Sequence, residues 1–107
     1  MDISLDGWDM GRFAELEWGP WGSGDNARAK VLAVGDGYNL ALVEADAGYE
    51  GDPHEHAFAE FFYLIEGTVR NQGQQLGKGD GYVAAPGSTH ADFGTATGAA
   101  NLSIFKL

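Results

Sequence analysis

Glycine and proline interrupt this sequence so often that it has little room for long helices. The chain has 107 residues, of which 17 are glycine and three are proline. Between these residues lie short runs that are rich in β-branched and aromatic side chains, which favour strands. Many short strands with closely spaced turns are typical of an antiparallel sandwich or barrel. The sequence therefore predicts an all-β fold in a single domain over residues 1–107.

The predicted strands follow these apolar runs. We expect strands over residues 12–18, 27–34, 38–45, 60–67, 68–72, 81–85 and 101–107. Turns are predicted at GSGDN, GDG, NQG, GKGDG, PGS and GTATG, because glycine, asparagine and aspartate favour turn conformations. The chain contains no internal repeat, and its glycine-containing runs lack a phosphate-loop pattern.

Charge and the absence of cysteine narrow the range of functions. The chain has 16 Asp and Glu against six Lys and Arg, for a formal net charge of -10. Such a surface repels phosphate, so we expect no nucleic-acid partner. No apolar run approaches the ~20 residues of a membrane span, and the start lacks a signal-peptide pattern. We therefore expect a cytoplasmic protein without a membrane partner. The lack of cysteine excludes disulfides, thiolate metal sites and cysteine nucleophiles.

Two of the three histidines lie in the segment GYEGDPHEHAFAEFFYLIEG, residues 48–67. On a strand, His54 and His56 point to the same face because they are two positions apart. A short connection can bring Glu60, at the start of the next apolar run, back beside them. Two imidazoles and a carboxylate suit a first-row transition metal. The same pattern also fits an exposed strand end whose histidines bind nothing.

The spacing of this segment resembles the first signature motif of the cupin superfamily. The motif G-x5-H-x-H-x3-E-x6-G is matched without a gap by Gly48, His54, His56, Glu60 and Gly67.

A later segment, GDGYVAAPGSTH, is similar to the second cupin motif, G-x5-P-x-G-x2-H-x3-N. Gly79, Gly87 and His90 stand at the required positions. Ala85 replaces the usual proline and Gly94 the usual asparagine, and these departures affect turn geometry more than ligation. Every histidine of the chain thus falls on a ligand position of the family.

The resemblance implies a small antiparallel jelly-roll barrel with an internal metal site. The ligands would be His54, His56, Glu60 and His90, holding one divalent ion. Three imidazoles and a carboxylate suit iron(II), zinc, manganese, nickel or cobalt. Among subfamilies, the sequence looks most like ChrR-type cupins, which include the zinc-binding cupin of an anti-sigma factor and small dioxygenases.

Two classes of function follow from the resemblance. One is a metal-dependent enzyme, foremost a dioxygenase that uses O2 to cleave an enolised carbonyl compound; without a redox metal, the site would serve an isomerase or a lyase. The other is a non-catalytic sensor in which metal or ligand binding changes a protein contact. We favour the enzyme because a chain of this length has no room for a separate partner-binding domain.

Other site candidates rest on position alone. Asp92 lies two residues after His90 and is predicted to orient a ligand or move a proton, with an exposed turn aspartate as the alternative. Tyr63 and Tyr82 are candidates to hydrogen-bond a substrate, although strand tyrosines usually form barrel wall. Glu60, besides its place among the ligands, is also a candidate catalytic group. Arg70 is expected to pair with Glu66.

Partners are predicted from aromatics and charge. Trp8, Trp18 and Trp21 are expected to close the barrel mouth or to lie against a second subunit, and small cupins commonly form homodimers. The first motif is bracketed by acidic residues, namely Asp46, Glu50, Asp52 and Glu55. We therefore expect a small-molecule substrate that is neutral or cationic rather than anionic.

Overall fold

The computed structural model describes residues 2–106, and within them every strand pairing is antiparallel and no α-helix occurs. A single 3-10 turn spans Phe13–Glu15. This part of the chain contains no helix whose length and apolarity would let it span a membrane. The strands are β1 (Asp2–Leu5), β2 (Trp8–Gly11), β3 (Gly19–Pro20), β4 (Ala27–Gly35), β5 (Tyr38–Ala45), β6 (Tyr49–Glu50), β7 (His54–Glu55), β8 (Glu60–Asn71), β9 (Gln74–Gly77), β10 (Gly81–Ala84), β11 (Thr89–His90), β12 (Phe93–Thr95) and β13 (Ala99–Lys106).

A nine-stranded sheet forms the barrel. Its strands follow the order β3-β4-β5-β13-β8-β12-β6, and both β9 and β10 also pair with β8. Strand β8, with 12 residues, is long enough to pair with several strands along its length. The remaining strands form the β1–β2 hairpin and the short β7–β11 pair. The predicted all-β, antiparallel jelly-roll architecture is confirmed.

Most predicted strands are present. Those predicted over 27–34, 38–45 and 81–85 correspond to β4, β5 and β10, and 101–107 corresponds to β13, although Leu107 lies outside the described residues. The runs 60–67 and 68–72 are one continuous strand, β8.

The predicted strand over residues 12–18 is wrong, because the 3-10 turn occupies its centre. The buried Lys30 side chain explains the difference. Its ammonium group donates a hydrogen bond to the carbonyl of Phe13 at 2.8 Å. The same nitrogen lies 3.9 Å from the Phe13 ring centroid and 4.9 Å from that of Trp18. This segment folds around a cation instead of extending along the sheet.

Side chains alternate between the inside and outside of the barrel along each central strand. On β8, Phe62 and Leu64 are buried, whereas Phe61 and Tyr63 between them are exposed. This alternation follows from the two-residue repeat of a strand. Phe62, Leu64 and Val69 form a buried core cluster below the site described next.

Two tight hairpins confirm predicted turns. The GDG turn joins β4 to β5 with Asp36 and Gly37 at φ values of 53° and 80°. The NQG turn joins β8 to β9 with Gln72 and Gly73 at 52° and 77°. Two consecutive residues with positive φ are characteristic of the type I′ turn, whose twist matches that of the flanking strands.

Gly67 provides a test of why this motif position requires glycine. It has a φ of 82° beside a β-bulge, and an added Cβ would collide with the backbone of Gly98 and lie 2.9 Å from Cα of Ala99. We expect Gly67→Ala to lower the free energy of unfolding by about 3 kcal/mol, measured by urea denaturation.

Gly73→Ala is the matched control. Its φ of 77° is similar, but nothing lies within 4 Å of an added Cβ. This variant should lose only about 1 kcal/mol, from the backbone conformation alone. Equal losses for the two variants would show that steric contact at Gly67 is unimportant.

Candidate metal centre

Antiparallel pairing of two very short strands brings the distant histidines together. In the β7–β11 pair, His90 lies directly opposite His54. The pairing continues beyond the strands, since the His56 amide donates to the carbonyl of Ser88 at 2.9 Å and the Gly87 amide donates to the carbonyl of His56 at 2.7 Å. The second motif is thereby held in register with the first.

The four predicted ligands form one cluster. His54, His56, Glu60 and His90 each offer one ligand atom, and these atoms all lie within 4.8 Å of one another. Two ligands bound at about 2.1 Å to one ion are at most about 4.2 Å apart, so small side-chain movements complete coordination. His56 is buried, whereas His54 is exposed at the mouth. The cluster can hold a metal ion.

Hydrogen bonds orient two of the imidazoles for ligation. Nδ1 of His54 lies 2.9 Å from the carbonyl oxygen of Asp52, so this nitrogen carries the proton and donates it. The Ser88 hydroxyl donates to the carbonyl of Ala85 at 2.6 Å, which leaves its oxygen to accept from Nδ1 of His56 at 3.2 Å. In both rings Nε2 is left as the ligand atom. Nε2 of His56 lies 2.9 Å from a carboxylate oxygen of Glu60.

His90 supplies the clearest sign of a missing partner. Its Nε2 atom is buried and has no hydrogen-bond partner among the described residues. Burial, followed by the nearby charges of His54 and His56, lowers the pKa of His90 to about 4. A neutral imidazole is the form that binds a metal. A buried ring nitrogen that makes no hydrogen bond destabilises the folded protein unless a ligand binds it. A metal ion held by His90 and the other three residues would satisfy this nitrogen, so the four residues fit a metal ion.

The cluster opens into a cavity of about 440 Å3 inside the barrel. Its walls are mostly apolar and aromatic, as in pockets that bind small organic ligands. Trp21 at the wall contacts Phe105 edge to face, with ring centroids 5.4 Å apart. Phe93 contacts His90 at 4.9 Å between centroids.

Tyr82 is placed where it can contact a ligand in the cavity. Its ring stacks on Phe62, with centroids 4.6 Å apart and an interplanar angle of 9°, and lies 6.3 Å from that of His90. Burial, and then the charge of Glu60, raise the pKa of the Tyr82 hydroxyl. Tyr82 therefore remains a protonated hydrogen-bond donor at neutral pH.

The prediction for Asp92 needs correction. Its carboxylate accepts hydrogen bonds from Nε of Arg70 at 2.7 Å and from the amide of Gly73 at 3.1 Å, and it does not line the cavity. The bond from Arg70 is also the main cause of its lowered pKa. Asp92 thus anchors the strand that follows His90. The expected Arg70–Glu66 pair is also wrong, because Arg70 pairs with Asp92 and Glu50 while Lys78 pairs with Glu66.

Tyr63 also requires correction. It is 51% exposed and projects from the outer face of β8, one position out of phase with the inward-facing Phe62. A strand side chain on that face cannot reach a ligand inside the barrel. Phe61 is likewise on the outer face and 45% exposed. Phe58, by contrast, does line the cavity.

The acidic residues of the first motif divide between two locations. Asp52 and Glu55 line the cavity, whereas Glu50 and Asp46 form surface ion pairs with arginines.

One cation also reaches the cavity. Lys106, from the last strand, is among the lining residues, and its ammonium group lies 4.8 Å from the ring centroid of Tyr38. Lys106 is far from the cluster residues in the sequence, so the sequence did not predict its place in the cavity lining. Of the three tryptophans, Trp21 lines the cavity, while Trp18 packs near Lys30 and Trp8 is 69% exposed.

Three polar residues of the site region were not predicted. Ser88 orients His56, and Asn101 and Ser103 line the cavity from β13. The alternation of NLSIFKL places Asn101 and Ser103 on one face, so the signal was present in the sequence. The contact between Ser88 and His56 depends on the β7–β11 register, which the sequence alone does not predict.

The fold is similar to those of several solved cupin structures. An RmlC-like cupin from Shewanella frigidimarina matches with a TM-score of 0.79 and 22% identity, over 91% of this chain and 88% of that chain. An acetylacetone dioxygenase from Acinetobacter johnsonii matches with a TM-score of 0.76 and 14% identity, over 99% of this chain and 80% of that chain.

A third similar structure is a chain of the complex between Rhodobacter sphaeroides SigE and the anti-sigma ChrR. It matches with a TM-score of 0.72 and 21% identity, over 89% of this chain, and this chain spans 52% of that one. No curated protein matches the sequence. The family model of the ChrR cupin-like domain matches residues 8–103. Because this match covers most of the chain, the protein belongs to the ChrR cupin-like domain family.

Proposed function

We propose that this protein is a metal-dependent enzyme that acts on a small enolisable carbonyl compound, with O2-dependent cleavage as its reaction. The observation that carries the proposal is the opening of the His54, His56, Glu60 and His90 cluster into an apolar cavity of about 440 Å3. A closed structural site would offer no space for a substrate beside its ligands. The similarity to an acetylacetone dioxygenase supports the same reaction class.

The four clustered residues would hold one divalent ion, with iron(II) as the proposed metal and zinc, manganese, nickel or cobalt as the alternatives. When bound, iron(II) supplies a Lewis acid for an enolate oxygen and redox chemistry for reaction with O2.

The chain's own groups would prepare the substrate. The Glu60 carboxylate belongs to the cluster and lines the cavity, and it would accept the proton lost on enolisation. The protonated hydroxyl of Tyr82 would donate a hydrogen bond to a substrate oxygen. The aromatic walls around Phe62 and Phe93 exclude water, which strengthens both interactions.

The charge of the cavity supports a neutral or cationic substrate. Besides Glu60, the carboxylates of Asp52 and Glu55 line it, against the single ammonium group of Lys106 in the lining. An anionic substrate would face more negative than positive charge.

A sensor is the second candidate function, and the family supports it. The similar structure that contains ChrR is that of an anti-sigma protein in complex with SigE. In that case metal or ligand binding would change a contact with another protein, without turnover of a substrate. Metal content and oxygen uptake separate the sensor from the dioxygenase.

Metal content and oxygen uptake test the proposed activity. We expect protein purified without added metal to contain iron in elemental analysis. We expect it to consume O2 when supplied with neutral 1,3-dicarbonyl compounds in an oxygen electrode, and to lose this activity on chelation. Zinc with no oxygen uptake would contradict the dioxygenase and favour an isomerase, a lyase or the sensor.

His90→Ala tests the four-ligand centre. Because Nε2 of His90 is buried and unpaired, its loss should lower cobalt(II) affinity by about 100-fold or more, as should His54→Ala. Chelator competition titrations measure both. The barrel should stay folded by circular dichroism, since its apolar core is separate from the cluster.

Two graded variants accompany His90→Ala. Glu60→Gln retains the side-chain shape but removes the anionic oxygen, so metal affinity should fall without loss of fold. Ser88→Ala removes the acceptor that orients His56 and should weaken affinity by about 10-fold. Unchanged metal affinity in His90→Ala would falsify the four-ligand centre.

We further propose that the protein is a homodimer and that the outer sheet face forms the interface. Val83, Phe61, Ile104 and Leu40 lie in one cross-strand row. The first three are 58%, 45% and 42% exposed, and Tyr63 beside them is 51% exposed. Contiguous apolar patches of this kind mark interaction sites.

The surroundings of this face favour a second copy as the occupant. The row of Val83, Phe61, Ile104 and Leu40 carries no charge, so two chains of net charge -10 can meet there with least repulsion. The Lys78–Glu66 pair at 3.3 Å and the Arg28–Glu44 pair at 3.1 Å provide a polar rim.

Phe61→Glu should convert the dimer to a monomer, because it places a carboxylate at the centre of the apolar face. Sedimentation velocity measures the change in mass. Gln74→Glu is the control: it adds the same carboxylate at an exposed position of β9, which pairs with the opposite half of β8, so it should leave the dimer intact. A monomeric wild-type protein at micromolar concentration would contradict the proposal.

A further inference from the structure

Two buried polar side chains face the cavity from strand β13, outside the metal cluster. Asn101 is 6% exposed and Ser103 is 1% exposed, and both line the cavity. They occupy inward positions two residues apart, and Nδ2 of Asn101 donates a hydrogen bond to Oγ of Ser103 at 3.0 Å. Polar side chains in an otherwise apolar pocket commonly fix the orientation of a ligand.

These side chains retain unused hydrogen-bonding capacity. Within residues 2–106, the bond to Ser103 is the one side-chain hydrogen bond of Asn101. An asparagine amide offers two N–H groups and an acceptor oxygen, and serine offers a hydroxyl hydrogen. One N–H and the oxygen of Asn101, and the hydroxyl hydrogen of Ser103, can therefore bond to a molecule in the cavity.

Thr95 is a polar residue of the same cavity wall whose hydroxyl group makes its hydrogen bonds within the protein. It is 1% exposed and also lines the cavity. Its hydroxyl donates to the carbonyl of Thr68 at 2.6 Å and accepts from the amide of Gly98 at 3.0 Å. The Thr95 hydroxyl is bonded to the backbone of the fold, whereas the Asn101 and Ser103 side chains are bonded to each other.

The strand register gives the distance from the metal cluster. Ser103 lies opposite Phe62 and Asn101 opposite Leu64, whereas Glu60 stands two residues before Phe62 on β8. A two-residue step along a strand is about 7 Å. Ser103 is thus about one step, and Asn101 about two steps, along the barrel from the ligand Glu60. A β-bulge between Ala100 and Asn101 adjusts the register at this point.

We propose that Asn101 and Ser103 form a second recognition point for the substrate. One substrate oxygen faces the metal cluster, and a second oxygen, roughly 7 Å away, binds the Asn101–Ser103 pair. Between them, the stacked rings of Phe62 and Tyr82 accommodate a flat apolar segment. The substrate class is a neutral carbonyl compound with a distal hydroxyl or carbonyl oxygen. This inference rests on the proposed function, because it requires a substrate at the metal cluster.

A matched pair of diketones tests the second recognition point. Benzoylacetone and 4-hydroxybenzoylacetone differ by one hydroxyl group at the far end of a flat ring. Each is titrated into cobalt-loaded protein, and binding is followed through the visible spectrum of the metal. We expect wild-type protein to bind the hydroxylated compound about tenfold more tightly, the effect of one buried hydrogen bond.

The variants should remove this preference alone. Ser103→Ala and Asn101→Leu should bind both diketones with similar affinity, with cobalt content and benzoylacetone affinity unchanged. Thr95→Val should keep the tenfold preference, because its hydroxyl is already bonded within the fold.

Each outcome decides the matter. Equal binding of both diketones by the wild type, or a preference that persists in Ser103→Ala, overturns the second recognition point and leaves the proposed function intact. Failure of both diketones to bind the cobalt-loaded wild type overturns the proposed function as well. If Asn101→Leu does not fold, Ser103→Ala and the wild-type comparison still give the answer.

Discussion

The pairing of β7 with β11 is the interaction on which the site depends. Each strand has only two residues, yet the register between them sets His90 opposite His54. Such a short ladder has little stability of its own, so its position comes from what flanks it. At the end where Glu55 faces Thr89, it is extended by hydrogen bonds from the His56 amide to Ser88 and from the Gly87 amide to His56. On the far side of His90, Gln72 accepts hydrogen bonds from the amides of Ala91 and Asp92, both at 3.1 Å.

The hydrogen bonds around the histidines prepare them for one chemical role. Carbonyl and hydroxyl acceptors fix the protonated nitrogen of His54 and His56, and burial keeps His90 neutral. A set of three imidazole nitrogens and one carboxylate, as metal ligands, has a low total charge. Such a set leaves a divalent ion with residual positive charge for binding an oxygen of a substrate.

The clustering of the four candidate ligands could be predicted because their spacing repeats a simple geometry. His54 and His56 share a face by strand alternation, and the family pattern adds Glu60 and His90. The prediction for Asp92 used the same alternation and was wrong. The strand through His90 ends at that residue, and Arg70, from a neighbouring strand, draws the Asp92 carboxylate to the surface. Partners that lie across a sheet depend on register, which a single sequence does not reveal.

The wrong strand prediction over residues 12–18 has the same origin, because it too depends on a tertiary contact, here made by Lys30. Its burial beneath Phe13 turns a segment with strand-like composition into a 3-10 turn. Local propensity is weak compared with a tertiary hydrogen bond between a charged group and a carbonyl.

Strand β8 shows how one element serves both faces of the barrel. Its inward residues Glu60, Phe62 and Leu64 supply a metal ligand, an aromatic wall and part of the core. Its outward residues Phe61 and Tyr63 are apolar as well, although solvent-facing positions of a sheet are normally polar. Burial of the inner face alone explains every second residue. The apolar character of the residues between them supports the proposed dimer, in which a second copy would remove them from water.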